Sequence, residues 1–262
     1  MLKKEQLDPD RIKTNLNTKR IGRKIIVYKS TSSTNDIAAE YAKDKENDGL
    51  AVFAEEQTAG RGRAGAKWHG GRGDSVLCSI LLTGTKINSE MLTLTCAVGT
   101  AEAIGKVAGS EAKIRWPNDI MLNGKKVAGI LVESKQNKDN NVYILGIGIN
   151  CHQKKGSFSV ELQSTATSID IEGHSICDRI LLAKRLLISL EHWLEIAEAN
   201  SEKVTEQWRK LSTLLNQRVT VVFRGKKFSG HCAGIDPENG LILQLESGGT
   251  RFFDAAHTTI AK

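Results

Sequence analysis

IRWPNDIMLNGKKVAGILVESK, residues 114–135, decides how the chain folds. At its centre Asn123-Gly124 is a pair whose residues accept positive φ at little cost, the requirement of a tight type I′ hairpin turn. Apolar residues flank it on both sides, Ile120 to Leu122 before and Val127 to Val132 after, so the segment reads as two antiparallel strands around that turn. Within R-W-P-N-D (Arg115 to Asp119) the proline has no amide hydrogen for a central ladder. It marks a strand end or bulge, where side chains are aimed at a site. Asn118 and Asp119 offer donors, acceptors and a carboxylate there, and Lys126, just past the turn, can reach the same place. Taken alone, the segment is equally a polar turn with a charged hairpin edge.

Downstream, VYILGIGIN (142–150) is a continuous apolar run ending in glycines and an amide, a buried strand. Upstream, SVLCSILLT (75–83) reads the same way, and a helix follows from about Asn88 to Val107. KIIVY (24–28) reads as a short buried strand and LAVFAEEQ (50–57) as a second. Between them STSSTNDIAAEYAK has helical spacing at Ile37, Ala38, Tyr41 and Ala42, with Ser, Thr and Asn as cap candidates and Asp36 suited to the helix dipole. From Ser175 to about Asn200, Ile180, Leu181, Leu187, Leu190 and Leu194 recur on one helical face, where Trp193 reads as core; a shorter helix bearing Trp208 leads to Asn216. Beyond it the pattern becomes short alternating strands, RVTVVF, KKFSGHCAGI, GLILQL and TRFFDA, separated by turns at Arg224-Gly225, Asn239-Gly240 and Gly248-Gly249. This divides the chain into a large domain at 1–216, with 1–23 a short N-terminal extension, and a small β-barrel domain at 217–262.

The formal charge is 37 − 30 = +7. Part of it is concentrated: Arg61, Arg63, Lys67 and Arg72 lie in the glycine-rich stretch TAGRGRAGAKWHGGRGD (58–74), which has no acidic residue before Asp74 and no aliphatic residue larger than alanine. Such a stretch has no face to bury, so a mobile loop that orders on binding is expected. Within it G-R-G-R-A-G (60–65) lets backbone wrap closely round a ligand, and two arginines can clamp phosphate oxygens. It is neither a Walker loop nor a dinucleotide fingerprint. By itself it is shared with RGG-type RNA-binding segments and plain surface loops. Trp68 offers a flat face for a purine. Cys78, Cys96, Cys151, Cys177 and Cys232 are scattered without a C-x-x-C pair, which excludes metal-cluster spacing and suits a reducing cytoplasm. No signal peptide and no apolar run of membrane-spanning length is present.

Ser33-Thr34-Asn35, Gln57 three residues before the glycine loop, Lys67-Trp68, RWPND, NGKKVAGILVE and GIGIN follow one another in the order found in biotin protein ligases. The chain resembles that family from Lys24 to its end. The resemblance implies an α+β catalytic domain of the class II aminoacyl-tRNA-synthetase-like kind, a mixed sheet flanked by helices, followed by a C-terminal Src-homology-3-like β-barrel. It implies that ATP activates biotin to biotinyl-5′-AMP, with magnesium held mainly by the phosphates. Biotin then passes to a lysine of a biotin carboxyl carrier domain, acetyl-CoA carboxylase being the acceptor the family suggests. Carried over, Ser33, Thr34, Asn35 and Gln57 hydrogen-bond the biotin ring, with Gly129 in the same slot. Gly60, Arg61, Gly62 and Arg63 fold over biotin's carboxylate and the phosphates. Trp68 packs near adenine, with Asn118 and Asn150 close to the nucleotide. Lys126 sits between carboxylate and α-phosphate, and Asp119 serves the incoming lysine, so that Lys126, Arg61, Arg63 and Asp119 form the catalytic set.

Two departures stand out. Ala64 and Ala66 occupy places where many relatives carry further arginines, which lowers the count of phosphate clamps. About 23 residues precede the first strand, too few for the DNA-binding domain that makes some relatives repressors, so no nucleic-acid partner is expected. The resemblance allows a homodimer built from sheet edges, which nothing in the hydrophobic pattern demands. The rivals are a lipoate or octanoyl ligase of the same fold, against which RWPND and NGKKVAGILVE speak, and a nucleic-acid-binding module, which leaves Asp119, Gln57 and residues 33–35 unexplained.

Overall fold

The computed structural model describes residues 5–137 and 140–261. The first four residues of the expected N-terminal extension and the last residue of the expected C-terminal domain lie outside the described residues. Seven strands make the main sheet: β1 (Ile25–Tyr28), β2 (Ala51–Ala54), β3 (Ser75–Thr83), β4 (Lys113–Arg115), β5 (Asp119–Leu122), β6 (Lys125–Asn137) and β7 (Asn140–Asn150). Their spatial order is β1-β2-β3-β7-β6-β5-β4. Only β1 and β2 run parallel, and a parallel pair needs a crossover; helix α2 (Thr34–Tyr41) supplies it. The predicted hairpin joins β5 to β6, with Asn123 at φ 48° and Gly124 at φ 79°. The RWPND segment corrects the two-strand reading to three: the chain turns at Trp116-Pro117, so β4 lies antiparallel to β5, Arg115 opposite Asp119.

Side-chain alternation sends the two faces of the sheet to different partners. On one face Val76, Cys78, Ile80, Leu82, Leu145, Ile147 and Ile149 join the main core, which is filled by helix α3 (Ser89–Ala108) and, after the short helix α4 (Ile169–Glu172), by helix α5 (Arg179–Ala199). Asn88 caps α3 by accepting from Met91 N–H at 2.8 Å, and Gly109 at φ 71° ends it. Among the described helices only α3 has the length and apolarity of a membrane span, and 72% of that window is buried within the fold. On the opposite face Leu50, Val52, Leu81, Val142 and Ile144 pack under α2. Further along that face the residues turn to glycine, and a cleft opens.

Several expectations are adjusted. β1 is half-buried because it is an edge strand. Leu181 is 42% exposed on the flank of α5, while Ile180, Leu187, Leu190 and Leu194 are buried. Trp193 is half-buried and donates from Nε1 to Glu102 at 2.6 Å. The N-terminal stretch is part of the core: helix α1 (Pro9–Lys13) carries Ile12, which with Leu7 and Ile21 is buried. Arg179 pairs with Glu55 at 2.9 Å in a buried ion pair, and Glu55 also accepts from Leu7 N–H. Glu191, itself buried, accepts from the backbone N–H groups of Lys19, Arg20 (2.8 Å) and Ile21 (2.7 Å). Glu191→Ala strips three amides of their acceptor and is expected to cost about 2 kcal/mol of stability, read by urea unfolding; a midpoint equal to wild type would refute the clamp.

Helix α6 (Ser201–Leu211) buries Trp208 and leads to a second, antiparallel sheet. It consists of β8 (Arg218–Phe223), β9 (Lys226–Asp236), β10 (Gly240–Leu245), β11 (Thr250–Phe253) and β12 (Thr258–Ile260), in the order β11-β10-β9-β8-β12. The four predicted strands are present. The fifth, β12, has only three residues, too few to register a period, and it pairs with β8.

Candidate active site

The cleft holds about 740 Å³. Its floor is backbone: Gly129 of β6 lies opposite Gly148 of β7, and Gly146 is two residues back on the same face. These positions must be bare. A Cβ on Gly146 would overlap the Asn35 carboxamide, and one on Gly148 would stand 2.5 Å from the Trp68 ring. The G-I-G-I-N stretch, which alone reads as a strand end, is thus the base on which the site is laid.

At one end of the floor lies a connected polar group. Thr34 donates from both N–H (2.7 Å) and Oγ1 (2.9 Å) to Gln57 Oε1. Ser79 Oγ is 2.7 Å from Thr34 Oγ1 and 2.6 Å from Asn35 Oδ1, and Asn35 Nδ2 donates to Glu133 at 2.8 Å. Ser33 occupies the N-cap position of α2 yet makes no capping hydrogen bond, and it lines the cleft. A small ring with polar edges is what such fixed, convergent groups accept. Ser79 and Glu133 escaped the sequence reading; each is a single polar residue directly flanked by an apolar run, Ser79 before Ile80 to Leu82 and Glu133 after Ile130 to Val132, a signal too common to single them out.

At the other end charge gathers. Lys126 Nζ is 2.5 Å from Asp119 Oδ1, and Arg115 donates to the other oxygen of Asp119 at 2.8 Å. Lys126 also stands 5.9 Å from the centre of the Trp68 ring. Arg63 reaches over from the glycine loop, donating to Ala255 O and Thr258 O (3.2 Å), with Nη1 3.4 Å from Asn118 Oδ1. Burial lowers the Arg63 pKa from its ordinary value. The cleft lining contains five cations, Arg61, Arg63, Lys67, Arg115 and Lys126, against one carboxylate, Asp119. That balance marks an anion site.

Arg61 is differently engaged. It grips Asp36 through both terminal nitrogens, at 2.9 and 2.7 Å, with Glu133 at 3.4 Å. The hydrogen bond to Asp36 raises the Arg61 pKa and holds the Asp36 carboxyl below its usual range. Asp36 stands in the first turn of α2, as the helix dipole favours, and is also the counter-ion of Arg61. The loop has backbone order of its own: a short helical turn at Arg63–Gly65, a hydrogen bond from Gly62 N–H to Ala66 O at 2.7 Å and one from Trp68 N–H to Gly60 O at 3.0 Å. Composition showed its glycines but not these tethers.

Of the residues carried over by resemblance, Ser33, Thr34, Asn35, Gln57, Arg61, Gly62, Arg63, Trp68, Asn118, Asp119, Lys126 and Gly129 line this one cleft. Gly60 sits just behind it, where a Cβ would press on Trp68 O at 2.8 Å. Asn150 does not line it; its amide donates to Thr167 O at 2.9 Å and its oxygen accepts from Gln153 at 3.1 Å. Residues 259–261, the end of the C-terminal sheet and the residue after it, close one wall, a contribution no local motif announces.

The model of the biotin/lipoate A/B protein ligase family matches residues 27–150, the span that builds the floor, the polar end and the cationic end. The bifunctional ligase/repressor BirA of Bacillus subtilis is 31% identical over 254 residues, covering 95% of this chain and 78% of that protein. The chain belongs to the biotin protein ligases. The biotin–[acetyl-CoA-carboxylase] ligase of Mycobacterium tuberculosis is 29% identical, with 94% of each chain covered. Among solved structures, a biotin protein ligase from Aquifex aeolicus in complex with biotin and ATP superposes with a TM-score of 0.79 at 24% identity, covering 92% of this ligase and 99% of that chain. The ligase thus has the family's mixed sheet flanked by helices, with a second antiparallel sheet after it.

Proposed function

We propose that this ligase activates biotin at the cationic end of the cleft and passes it from biotinyl-5′-adenylate to a lysine of a carrier domain. The observation that carries this reading is the order of the cleft: polar group, bare floor, cations. Biotin has the same order, a fused polar ring, an aliphatic tail and a carboxylate. Thr34, Asn35, Gln57 and Ser33 take the ring, and the tail runs alongside the Trp68 ring, which lies over Gly148. The carboxylate then reaches Lys126 and the arginines.

In the first step a carboxylate oxygen of biotin bonds to the α-phosphorus of ATP as the bond to pyrophosphate breaks. Both reactants are anions, so the site must offset repulsion before it can do anything else. Lys126, Arg63 and Arg115 do this, and Asn118 and Trp68 flank the nucleotide. Arg61, already matched by Asp36 and Glu133, anchors the loop across the ring end as well as adding charge. Asn150 acts at the nucleotide end through Thr167. Magnesium accompanies ATP as part of the substrate.

In the second step the acceptor lysine attacks the anhydride carbonyl, AMP leaves and the amine loses a proton. With a pKa of ~10.4 a free lysine is neutral in only about one molecule in a few thousand at pH 7, and Asp119 is the carboxylate placed to orient it or take that proton. A carboxyl carrier domain of an acetyl-CoA carboxylase is the acceptor we assign. By the same resemblance we read residues 1–216 as the catalytic domain and 217–262 as a Src-homology-3-like barrel. We further read the enzyme as cytoplasmic, its five cysteines all being free buried thiols. A homodimer through sheet edges and the lack of a nucleic-acid partner complete the reading.

Incubation with labelled biotin, ATP and magnesium is expected to yield biotinyl-adenylate, and addition of a carrier domain to yield labelled carrier. Turnover of lipoate or octanoate without biotinyl-adenylate would sink the assignment. Binding to nucleic acid that weakens steeply with salt would instead support the non-enzymatic rival.

A further inference from the structure

Lys126 stands where β6 outruns its neighbour. β7 pairs with β6 only from Ala128 onward, and on the other side the β5–β6 register shifts between Ile120 and Met121, so Met121 faces Lys126. The far edge of residues 125–127 therefore has no β7 partner, and backbone groups left so need another. A different stretch of chain takes that edge. Lys126 N–H donates to Thr165 O at 2.8 Å, and Thr167 N–H donates to Lys126 O at 2.8 Å, a parallel bridge centred on Ala166. With both backbone groups held, the direction in which the Lys126 side chain leaves the strand is fixed.

The bridge is itself anchored. Asn150 Nδ2 donates to Thr167 O at 2.9 Å. Thr167 Oγ1 donates to Glu172 Oε1 at 2.8 Å, and Glu172 Oε2 accepts from Asn123 Nδ2, the first residue of the hairpin turn, at 2.9 Å. Lys125 Nζ lies 3.7 Å from the same carboxylate, whose side chain is only 12% exposed. Burial alone pushes the Glu172 pKa up, but the bonds from Asn123, Thr167 and Lys125 bring it below the usual value. One carboxylate thus ties down the turn on the N-terminal side of Lys126 and the bridge alongside it. Two donors and an ammonium converge there, and only an ionised carboxylate offers an acceptor oxygen to each side.

We propose that Glu172 is a positioning residue for Lys126 in adenylate formation. The inference rests on reading Lys126 as the charge between biotin's carboxylate and the α-phosphate. Without Glu172 the lysine is present but loosely aimed, and a misplacement of about 1 Å can cost on the order of a hundredfold in rate.

The test is a double-mutant cycle on the full chain, with single-turnover biotinyl-adenylate formation as the readout. Glu172→Ala is expected to lower the rate constant by about tenfold to a hundredfold while the KM for biotin and for ATP stays within about twofold. Glu172→Gln, which keeps one acceptor oxygen, should fall between the two. In the Lys126→Ala background Glu172→Ala should cost nothing further, because its effect passes through the lysine. An equal fractional loss in both backgrounds overturns the proposal, and so does a wild-type rate for Glu172→Ala. A wild-type rate for Lys126→Ala instead overturns the reading of the lysine, and the proposal with it. If Glu172→Ala does not fold, Thr167→Val removes a single donor and carries the same cycle.

Discussion

Lys126→Ala is expected to leave a folded protein in which biotinyl-adenylate forms about a thousandfold more slowly, roughly 4 kcal/mol of lost transition-state stabilisation. Lys126 and Arg115 are the two cations bonded to Asp119. Taking the lysine away removes a positive charge and also leaves that carboxylate half-compensated, facing two anionic substrates. The local field then changes in the wrong direction by more than one interaction. Lys126→Arg should restore only part of the rate, because a planar guanidinium cannot occupy the same point between two oxygens. Pyrophosphate release measures the loss, and a circular-dichroism melt shows that the fold is kept. A near-normal rate in a folded Lys126→Ala protein would overturn the assignment of charge to this end.

Gly146→Val is expected to weaken biotin binding by about a hundredfold, near 2.7 kcal/mol, without preventing folding. A Cβ at this position overlaps the Asn35 carboxamide, and the rest of the valine would rise into the cleft. Asn35 cannot move without releasing Ser79 and Glu133, with which it bonds at 2.6 and 2.8 Å. The whole polar end is therefore disturbed by one added side chain. Calorimetric titration with biotin alone, in the absence of ATP, isolates this effect from the chemistry. Wild-type affinity in the valine variant would mean that the ring sits elsewhere.

Local chemistry made much of this molecule legible from sequence. Asn123-Gly124 dictates its own turn, Asn88 its helix start, and the alternation in β8 to β10 its strands, because each depends on neighbours in the chain. The ordered motifs then brought most of the candidate residues to one cleft. What stayed hidden depends on distant partners. Asp36 reads as a helix-dipole residue and sits in the first turn of α2, but its pairing with Arg61, 25 positions away, has no local signal. Trp68 reads as a face for a purine, and only the folded chain shows it lying over Gly148. β12 has too few residues for a pattern, although its end and the residue after it close the cleft wall. The N-terminal stretch looked like an appendage because Leu7, Ile12 and Ile21 are too sparse to show a period, and their burial comes from the main core they join, where α1 packs on α5 and β1.

The Glu191 clamp also sets an order of events in synthesis. The carboxylate that receives the amides of residues 19–21 lies 170 to 172 positions after them. A ribosome has made every strand of the main sheet before it makes this partner. Contacts this far apart close slowly, because the intervening chain must surrender its freedom first. The clamp on residues 19–21 is therefore among the last contacts to lock, and in the newborn enzyme these three amides stay without their acceptor until the second half of the chain arrives.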